Sequence, residues 1–385
     1  MPPRFRSFLS GPNRPRNDGQ SELLDRLSAS YDQASAALDF ASLDAPGLHD
    51  TPTLEAVMSA DALANVLNTV RMTGAVFFNV EAKAPWVAEQ CTPDMVLPMI
   101  RPGADHLISY HIVTEGSCYA CVLGEDEAVE VHAGEVIVFT RGDSHVMSSS
   151  PGMRADPVTS DMLPGGVQLP YVLSFGDHGP VTAKVICGFL ACDSGPFNPL
   201  MEALPRILIG KSDRGHGDKP CLSVLVEIAM NEIRDRRIGG ERVLGKIAEL
   251  MFVEVVRQYL ETLTPEQDGW LAGLKDPFVG KALAFMHANP GSDWGLEELA
   301  RTVGSSRSEF ADRFVRLVGI PPMTYLAKWR MQVASGLLND NVNIAAVAAE
   351  VGYGSEASFS RAFKKLVGVP PSVWRDSRIP LGRAA

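Results

Sequence analysis

Leu299-Ala-Arg-Thr-Val-Gly304 begins a pattern that this chain contains twice. The first copy continues with Phe314-Val-Arg-Leu-Val-Gly-Ile-Pro-Pro322. The second copy reads Val347-Ala-Ala-Glu-Val-Gly352 and then Phe363-Lys-Lys-Leu-Val-Gly-Val-Pro-Pro371. A repeat of this kind indicates one supersecondary unit used twice. In each copy a small alanine, a glycine four residues later and a following apolar stripe are typical of a helix-turn-helix. The sequence therefore predicts two helix-turn-helix units near its end.

The second helix of each unit carries signals for both of its ends. Ser306 and Glu309 have capping-box spacing, and Ser355 opens the equivalent helix of the second copy. Gly319 and Gly368 end these helices, with a proline two residues on. We expect the buried stripes to consist of Phe310, Phe314, Leu317 and Val318 in the first helix and of Phe359, Phe363, Leu366 and Val367 in the second.

Charge is divided unevenly along the chain. Residues 278–385 hold 13 Lys+Arg against 9 Asp+Glu, a net charge of +4, whereas all 385 residues together have a net charge of −11. The acidity therefore belongs to residues 1–277. A pI near 5.3 does not argue against a nucleic-acid partner, because the attraction of phosphate is local to a basic surface. Between the two units, residues 323–338 have a long helical pattern that predicts a rigid spacer.

The last hundred or so residues resemble the AraC/XylS family of bacterial transcription regulators. The resemblance covers both units, the connecting helix and the signature Val351-Gly-Tyr, Phe359-Ser-Arg-Ala-Phe-Lys-Lys365 and Gly368-Val-Pro-Pro371. It implies that both recognition helices enter successive major-groove segments of promoter DNA, with RNA polymerase as a further partner. By position, the resemblance assigns base or groove contacts to Ser308, Ala311 and Asp312 in the first unit and to Ala357, Ser358 and Arg361 in the second. It assigns phosphate contacts to Arg313, Arg316, Lys364 and Lys365.

Asp312 departs from the basic or amide side chain that is common in such helices. An aspartate can accept a hydrogen bond from cytosine N4, but nearby phosphates repel it. We therefore expect Arg361 to determine base specificity most directly, through a bidentate contact with guanine.

Residues 74–192 contain short β-type runs separated by turns, which predicts a sandwich or small barrel. The runs are 74–80, 106–113, 117–123, 128–132, 135–139, 171–175 and 183–190. Gly134, Thr140-Arg-Gly142 and His145 resemble the second motif of the cupins, with Thr140 where proline is usual. The segment from His111 to Gly116 resembles the strand and turn that enter a cupin barrel. The resemblance places His111 and His145 inside the barrel, where we expect them to bind a small-molecule effector.

Two other roles for this barrel stay open, namely a metal site and a barrel that only dimerises. Metal-binding cupins use a His-x-His pair together with a glutamate and a later histidine. This chain has no His-x-His: His111 stands alone and Glu115 falls at the turn, so that only two of the usual ligands can be mapped. We therefore expect no metal and no other cofactor.

Cysteine spacing offers a weaker metal or redox hypothesis. Cys118 and Cys121 lie three apart on a predicted strand and so point to opposite faces, which does not suit one metal ion. Cys187 and Cys192, preceded by His178, flank a strand end where their side chains could meet. Zinc binding or a redox pair is the alternative there to buried, inert thiols.

Two helical patterns, 221–233 and 243–260, lie between the barrel and the repeated units. The second has apolar candidates on more than one stripe, among them Leu244, Ile247, Leu250, Met251, Val255 and Leu260. These helices either pack on the side of the barrel or form a homodimer interface, which we favour because the resemblance implies paired subunits.

The predicted fold class is a multidomain α+β chain. We predict a disordered tail (1–55), a cupin-like effector domain (56–200), a helical dimerisation or linker region (201–277) and an all-α tandem helix-turn-helix domain (278–385). The chain shows no apolar run of the roughly 18 residues that a membrane helix needs. Its six cysteines lack a disulfide-type spacing, which favours the cytoplasm.

The preferred function is a DNA-binding transcription regulator, an activator that responds to an effector and is not an enzyme. One alternative is a metal-dependent cupin enzyme with appended DNA-binding helices. The other is a nucleoid-type protein that binds DNA through charge alone, whose affinity would not distinguish a promoter from random duplex.

Overall fold

The computed structural model describes residues 54–90, 93–157, 169–193, 195–212, 221–264 and 267–377. The predicted tail, 1–55, lies outside these residues except for its last two positions. The helices are α1 (Leu54–Val70), α2 (Pro93–Ile100), α3 (Pro199–Ala203), α4 (Cys221–Asp235), α5 (Gly240–Thr262), α6 (Trp270–Lys275), α7 (Val279–Ala288), α8 (Leu296–Val303), α9 (Arg307–Val318), α10 (Pro322–Asn339), α11 (Ile344–Glu350), α12 (Glu356–Val367) and α13 (Pro371–Ser377). The strands are β1 (Thr73–Lys83), β2 (Val87–Glu89), β3 (His106–Val122), β4 (Val129–His132), β5 (Glu135–Phe139), β6 (His145–Ser148), β7 (Tyr171–Phe175), β8 (Val181–Cys192) and β9 (Ile207–Lys211).

The nine described strands form one curled sheet, a half-barrel, in the order β2-β6-β3-β8-β1-β7. Strands β4 and β5 also pair with β3, and β9 pairs with β5. The sequence predicts one strand before Gly116 and another after it, whereas the structure has the single strand β3. Gly116 has a φ of 72°, and a Cβ there would lie 1.9 Å from the carbonyl oxygen of Thr182. Only glycine fits where β3 passes so close to β8. The predicted α+β fold class is confirmed.

Strand β3 divides its side chains between two hydrophobic clusters, because successive residues of a strand point to opposite faces. Leu107 and Val113 belong to the cluster on the inner, concave face of the sheet. Ile108, Tyr110 and Ile112 belong to the cluster on the outer face. The outer cluster also contains residues of α1 and α5 and continues into the first helix-turn-helix unit.

Helix α5 packs on the outer face of β1 with no side chain between them at one point. A Cβ on Gly74 would lie 2.3 Å from the carbonyl oxygen of Gly245, and a Cβ on Gly245 would lie 2.5 Å from that of Gly74. The predicted burial is confirmed for Leu244, Ile247, Met251 and Val255. Leu250 is 55% exposed on the outer surface of α5, so its burial against a second neighbour stays a prediction.

Both predicted helix-turn-helix units are present, as α8–α9 and as α11–α12. The Ser306 hydroxyl accepts from the Glu309 amide, and Gly319 and Gly368 are left-handed residues that end α9 and α12. The first stripe is confirmed, with Phe310, Phe314 and Leu317 buried and Val318 packed against them. In the second unit Phe359 and Phe363 are buried, but the prediction is wrong for Leu366, which is 40% exposed in the last turn of α12, outside the hydrophobic cluster that buries the two phenylalanines.

Candidate nucleic-acid interface and barrel pocket

The outer face of α12, in the second unit, is exposed and basic. Its exposed members among the predicted contacts are Ala357, Arg361, Lys364 and Lys365. In the part of the chain that the structure describes, no carboxylate forms an ion pair with any of the three cations. The Ser358 hydroxyl is half-buried and donates to the Ser355 carbonyl at 2.8 Å, so that it belongs to the helix cap. This surface can meet an anionic partner without breaking an existing contact.

On the equivalent face of α9, in the first unit, both predicted phosphate-binding arginines are paired with aspartates. Arg313 Nε donates to Asp276 Oδ2 at 2.6 Å, and its guanidinium lies 4.9 Å from the centre of the Phe278 ring. Arg316 forms an ion pair with Asp268 at 3.1 Å. Both aspartates belong to the segment that joins the barrel region to this unit. The exposed predicted contacts are Ser308 and Asp312, with Ala311 half-buried. The predicted phosphate contacts of the two arginines stay a prediction, and they would compete with these ion pairs.

A buried hydrogen-bond network fixes the first unit against helix α1. Trp270 Nε1 donates to Tyr325 Oη at 2.8 Å, and Tyr325 Oη lies 2.8 Å from His287 Nε2. His287 Nδ1 lies 3.2 Å from the Ala62 carbonyl oxygen, which can only accept, so Nδ1 carries the proton and Tyr325 donates to Nε2. Burial lowers the pKa of His287 to about 3, which keeps the ring neutral. The network ties α1, α6, α7 and α10 together.

The concave face of the half-barrel encloses a pocket of about 580 Å³, its open mouth included. Its walls are mainly apolar and aromatic, with polar side chains at a few points. Residues on these walls are Phe78, Val80, Trp86, Leu173, Phe175, Val185 and Phe189, together with the polar Glu89, Gln90, His111 and His145. An apolar pocket with few convergent polar groups is typical of a small-molecule site.

The two predicted histidines meet in this pocket. His111 Nε2 lies 2.7 Å from His145 Nε2, and His145 Nδ1 lies 3.0 Å from the carbonyl oxygen of Asp143. Since that carbonyl can only accept, His145 carries its proton on Nδ1 and its Nε2 accepts from His111. His145 stacks on Phe139 with ring centres 3.6 Å apart. Burial lowers the pKa of His145 to about 4 and that of His111 well below its ordinary value, so both rings are neutral.

Sequence reasoning missed the pocket's other polar side chains. Trp86 and Gln90 flank the three-residue strand β2, which is too short to give a pattern, and Glu89 is buried there. Arg154 Nε and Nη2 both donate to Glu89 Oε2 at 3.1 Å. A cluster of Trp, Glu and Gln within five residues was the one available signal.

The arrangement does not complete a metal site. Glu115 lies on the exposed bend of β3 and pairs with Lys184 at 2.9 Å, away from the two histidines. Throughout the described residues, no group of three or more His, Cys, Asp or Glu side chains could hold a metal ion. Although Glu89 and Cys187 also line the pocket, neither completes a three-ligand group with the two imidazoles in the described part of the chain.

Cys187 and Cys192 do not meet, contrary to the zinc or redox alternative for this strand end. Five residues apart on the regular strand β8, they point to opposite faces: Cys187 lines the pocket and Cys192 belongs to the outer cluster. His178 is exposed in the turn before β8. Neither cysteine belongs to a disulfide, and burial raises the pKa of Cys192 to about 12, which keeps that thiol protonated and inert. The opposite orientation predicted for Cys118 and Cys121 agrees with their different burial.

Comparisons with known proteins agree with these two regions. A family model described as Cupin matches residues 61–261, and one described as Helix-turn-helix domain matches residues 299–377. An AraC-like transcription regulator of Streptomyces lividans is 31% identical over 283 residues, which are 72% of this chain and 89% of that protein. This chain belongs to the family of AraC-like transcription regulators.

Two further matches of this AraC-like regulator cover different shares of the chain. The HTH-type transcriptional regulator AlkR of Acinetobacter baylyi is 24% identical over 326 residues, 82% of this chain and 99% of that protein. Among solved structures, the C-terminal domain of AraT from Geobacillus stearothermophilus is 30% identical, with a TM-score of 0.27, over 29% of this chain and 93% of that chain. The predicted family is confirmed, and with it a DNA-binding transcription regulator. None of the described helices is both long and apolar enough to span a membrane.

Proposed function

We propose that this regulator activates transcription by binding promoter DNA through α9 and α12, in response to an effector held in the half-barrel pocket. The observation that carries the DNA-binding part is the free basic face of α12. Arg361, Lys364 and Lys365 are exposed without described ion-pair partners on a helix that a serine cap and a hydrophobic stripe hold in place. We propose that Arg361 contacts a guanine and that the two lysines neutralise phosphates.

Substitution of Arg361 tests this reading. Arg361→Ala is expected to weaken binding to the operator by about 1–3 kcal/mol and to relax the preference at one base pair. The measurement is a quantitative footprint on the operator and on single-base variants of it. Lys211→Ala, which removes an exposed cation from the barrel rim, is the control and should change neither. A footprint of unchanged strength and preference for Arg361→Ala would contradict the assignment.

The effector role rests on the pocket and on the continuity of the core behind it. The pocket has apolar walls and two neutral histidines, and the outer face of the same sheet packs into the cluster that holds the first unit. Effector binding can shift the arrangement of the DNA-binding units only through its difference in affinity between two states. At a typical coupling of about 1–3 kcal/mol, affinity for DNA changes about 5- to 150-fold.

Neighbouring residues of β7 provide a matched test of the pocket. Leu173 lines the pocket, whereas Val172 is 57% exposed on the other face of the strand. Leu173→Trp fills the pocket and is expected to change promoter activity, while Val172→Trp leaves it unchanged. Equal activity of the two variants and the parent protein would argue against a sensing role for the pocket.

We also propose a homodimer through the outer surface of the α4–α5 pair. Exposed apolar side chains on this surface are Val224 and Ile228 on α4, Val243 and Leu250 on α5, and Ile238 between the helices. Several exposed apolar side chains on one pair of helices are consistent with a protein–protein contact. Leu250→Lys is expected to give monomers in analytical ultracentrifugation, whereas Val172→Lys is not. A Leu250→Lys protein that sediments as a dimer would exclude this surface.

Activation implies a contact with RNA polymerase and a cytoplasmic location, where promoter DNA lies, and we include both in the proposal. We propose no enzymatic reaction. Support comes from the relatives, which are named as regulators.

A further inference from the structure

Several unpaired polar atoms are concentrated at the barrel pocket. Among the described residues, five buried side-chain nitrogen or oxygen atoms have no hydrogen-bond partner, and three of these belong to residues that line this one pocket. They are Trp86 Nε1, Gln90 Oε1 and His111 Nδ1. Leaving a buried polar atom unpaired is unfavourable, so three at one place indicate a group that a bound molecule completes.

The hydrogen-bond network determines what each of these atoms needs. Trp86 Nε1 carries a hydrogen and can only donate. Gln90 Nε2 contacts the Ser109 hydroxyl at 2.8 Å, which leaves Oε1 as an acceptor. His145 accepts from His111 Nε2, so the neutral His111 ring has a bare lone pair on Nδ1. The residues of the pocket wall therefore hold one unpaired donor and two unpaired acceptors, each fully buried in the structure.

Charge balance at the pocket disfavours an ion. Both imidazoles are neutral, and the one carboxylate in the wall, Glu89, already accepts two hydrogen bonds from Arg154. A carboxylate ligand would face two acceptors, and an ammonium group would leave the Trp86 N–H without an acceptor. Either ion would also lose its hydration in an apolar pocket without a free counter-charge. A hydroxyl group both donates and accepts and carries no charge.

We propose that the pocket binds a small, uncharged and mainly apolar alcohol or phenol. Its hydroxyl oxygen accepts from Trp86 Nε1, and its hydroxyl hydrogen is donated to His111 Nδ1 or Gln90 Oε1. Its hydrocarbon part packs against the aromatic walls formed by Phe78, Phe175 and Phe189. This inference rests on the proposed effector role of the same pocket and adds the chemical class of the effector.

Four probes of nearly equal size test the class on the full chain at pH 7. Benzyl alcohol, toluene, benzoate and benzylamine share a phenyl ring and differ in the polar group, and calorimetry measures their binding. An apolar pocket would prefer toluene, because burying an unpaired hydroxyl is unfavourable. We expect the reverse here, with benzyl alcohol bound about tenfold or more tightly than each of the others. Tightest binding of toluene, benzoate or benzylamine would overturn the proposal.

Substitutions then locate the hydroxyl. Trp86→Phe keeps an aromatic wall but removes the N–H, and it should abolish the preference for benzyl alcohol over toluene with little change in toluene binding. Trp329→Phe is the matched control, because Trp329 Nε1 is also buried and unpaired but lies outside the pocket. Gln90→Met, at a half-buried position, should reduce the preference more mildly and serves if Trp86→Phe fails to fold. A preference that survives both Trp86→Phe and Gln90→Met would also overturn the proposal.

Failure of the ligand class can be distinguished from failure of the effector role. If no probe binds while Leu173→Trp still changes promoter activity, the pocket senses a molecule of another class and only the present inference falls. If no probe binds and Leu173→Trp behaves like the parent protein, the effector role falls with it.

Discussion

The two helix-turn-helix units have closely similar sequences but are held in the molecule in different ways. The first unit shares one hydrophobic cluster with helix α1, helix α5 and the outer face of the half-barrel. The second has a cluster of its own, built on the far end of α10. An exposed ion pair between Arg71 and Asp340 joins the loop after α10 to the barrel side. A repeated sequence thus determines the fold of each unit, while its neighbours determine what else the unit is coupled to.

The largest expected effect comes from equivalent core phenylalanines, Phe314 and Phe363, both fully buried. Each change to alanine should cost about 3–5 kcal/mol of unfolding free energy. Phe314→Ala should destabilise the barrel together with the first unit, because their cluster is shared. Phe363→Ala should loosen the second unit alone. Hydrogen exchange measures both, and loss of barrel protection in Phe363→Ala as great as in Phe314→Ala would contradict the comparison.

Acid should separate the same two regions. Burial lowers the pKa of His145 to about 4 and that of His287 to about 3, whereas the unfolded chain binds protons below about 6.5. The pKa of each ring is lower in the folded chain than in the unfolded chain. The contribution of the two neutral rings to stability is therefore full above about pH 6.5 and is lost as the pH falls towards the folded pKa values. The loss is about 2 kcal/mol for each ring between pH 7 and pH 5.

The second unit, residues 341–377, contains no histidine. Thermal unfolding followed by circular dichroism should therefore show a lower midpoint temperature at pH 5 than at pH 7 for the barrel and first unit. A larger loss of stability at pH 5 in the second unit than in the first, followed through amide signals in NMR spectra, would contradict this prediction.

Removal of a buried tyrosine hydroxyl should have an intermediate effect on stability. Tyr325→Phe leaves Trp270 Nε1 and His287 Nε2 unpaired in the buried network and should cost about 1–3 kcal/mol. Tyr353→Phe is the control in the second unit, where the side chain is half-buried against Phe359. Urea unfolding measures both variants, and equal midpoints would show that the network contributes nothing.

The smallest effect concerns the ion pairs of α9. Asp268→Asn frees Arg316, and since both partners are about half exposed the change in stability should stay within about 1 kcal/mol. DNA affinity should rise slightly, and the slope of log affinity against log salt should steepen by about one. Lys364→Ala should make that slope shallower by about one. No change in slope for Asp268→Asn would place Arg316 outside the DNA contact.

The sequence was sufficient for the repeated units and for the histidine pair because both depend on local spacing. The stripes, the glycine ends and the serine caps lie within single helices, and His111 and His145 sit in motifs of fixed length. Leu366 was misplaced because a helical pattern gives a face but not the width that its neighbours cover.

Contacts between distant segments could not be predicted. Asp268 and Asp276 pair with arginines 48 and 37 residues away, and only the folded chain brings them together. Trp86 and Gln90 reach the pocket from either side of a strand of three residues, whose position is set by its pairing with β6. The chemistry of the pocket therefore depends on residues that no local pattern indicated.

Neighbouring residues of strand β3 belong to the pocket wall and to the outer hydrophobic cluster. His111 lies on the pocket wall, while its neighbours Tyr110 and Ile112 lie in the cluster that extends to the first unit. If a bound molecule rotates this strand about its long axis, a displacement of His111 in one direction carries Ile112 in the other. A molecule bound in the barrel would then shift the hydrophobic cluster against which α9 packs, without any change in the length or pairing of the strands.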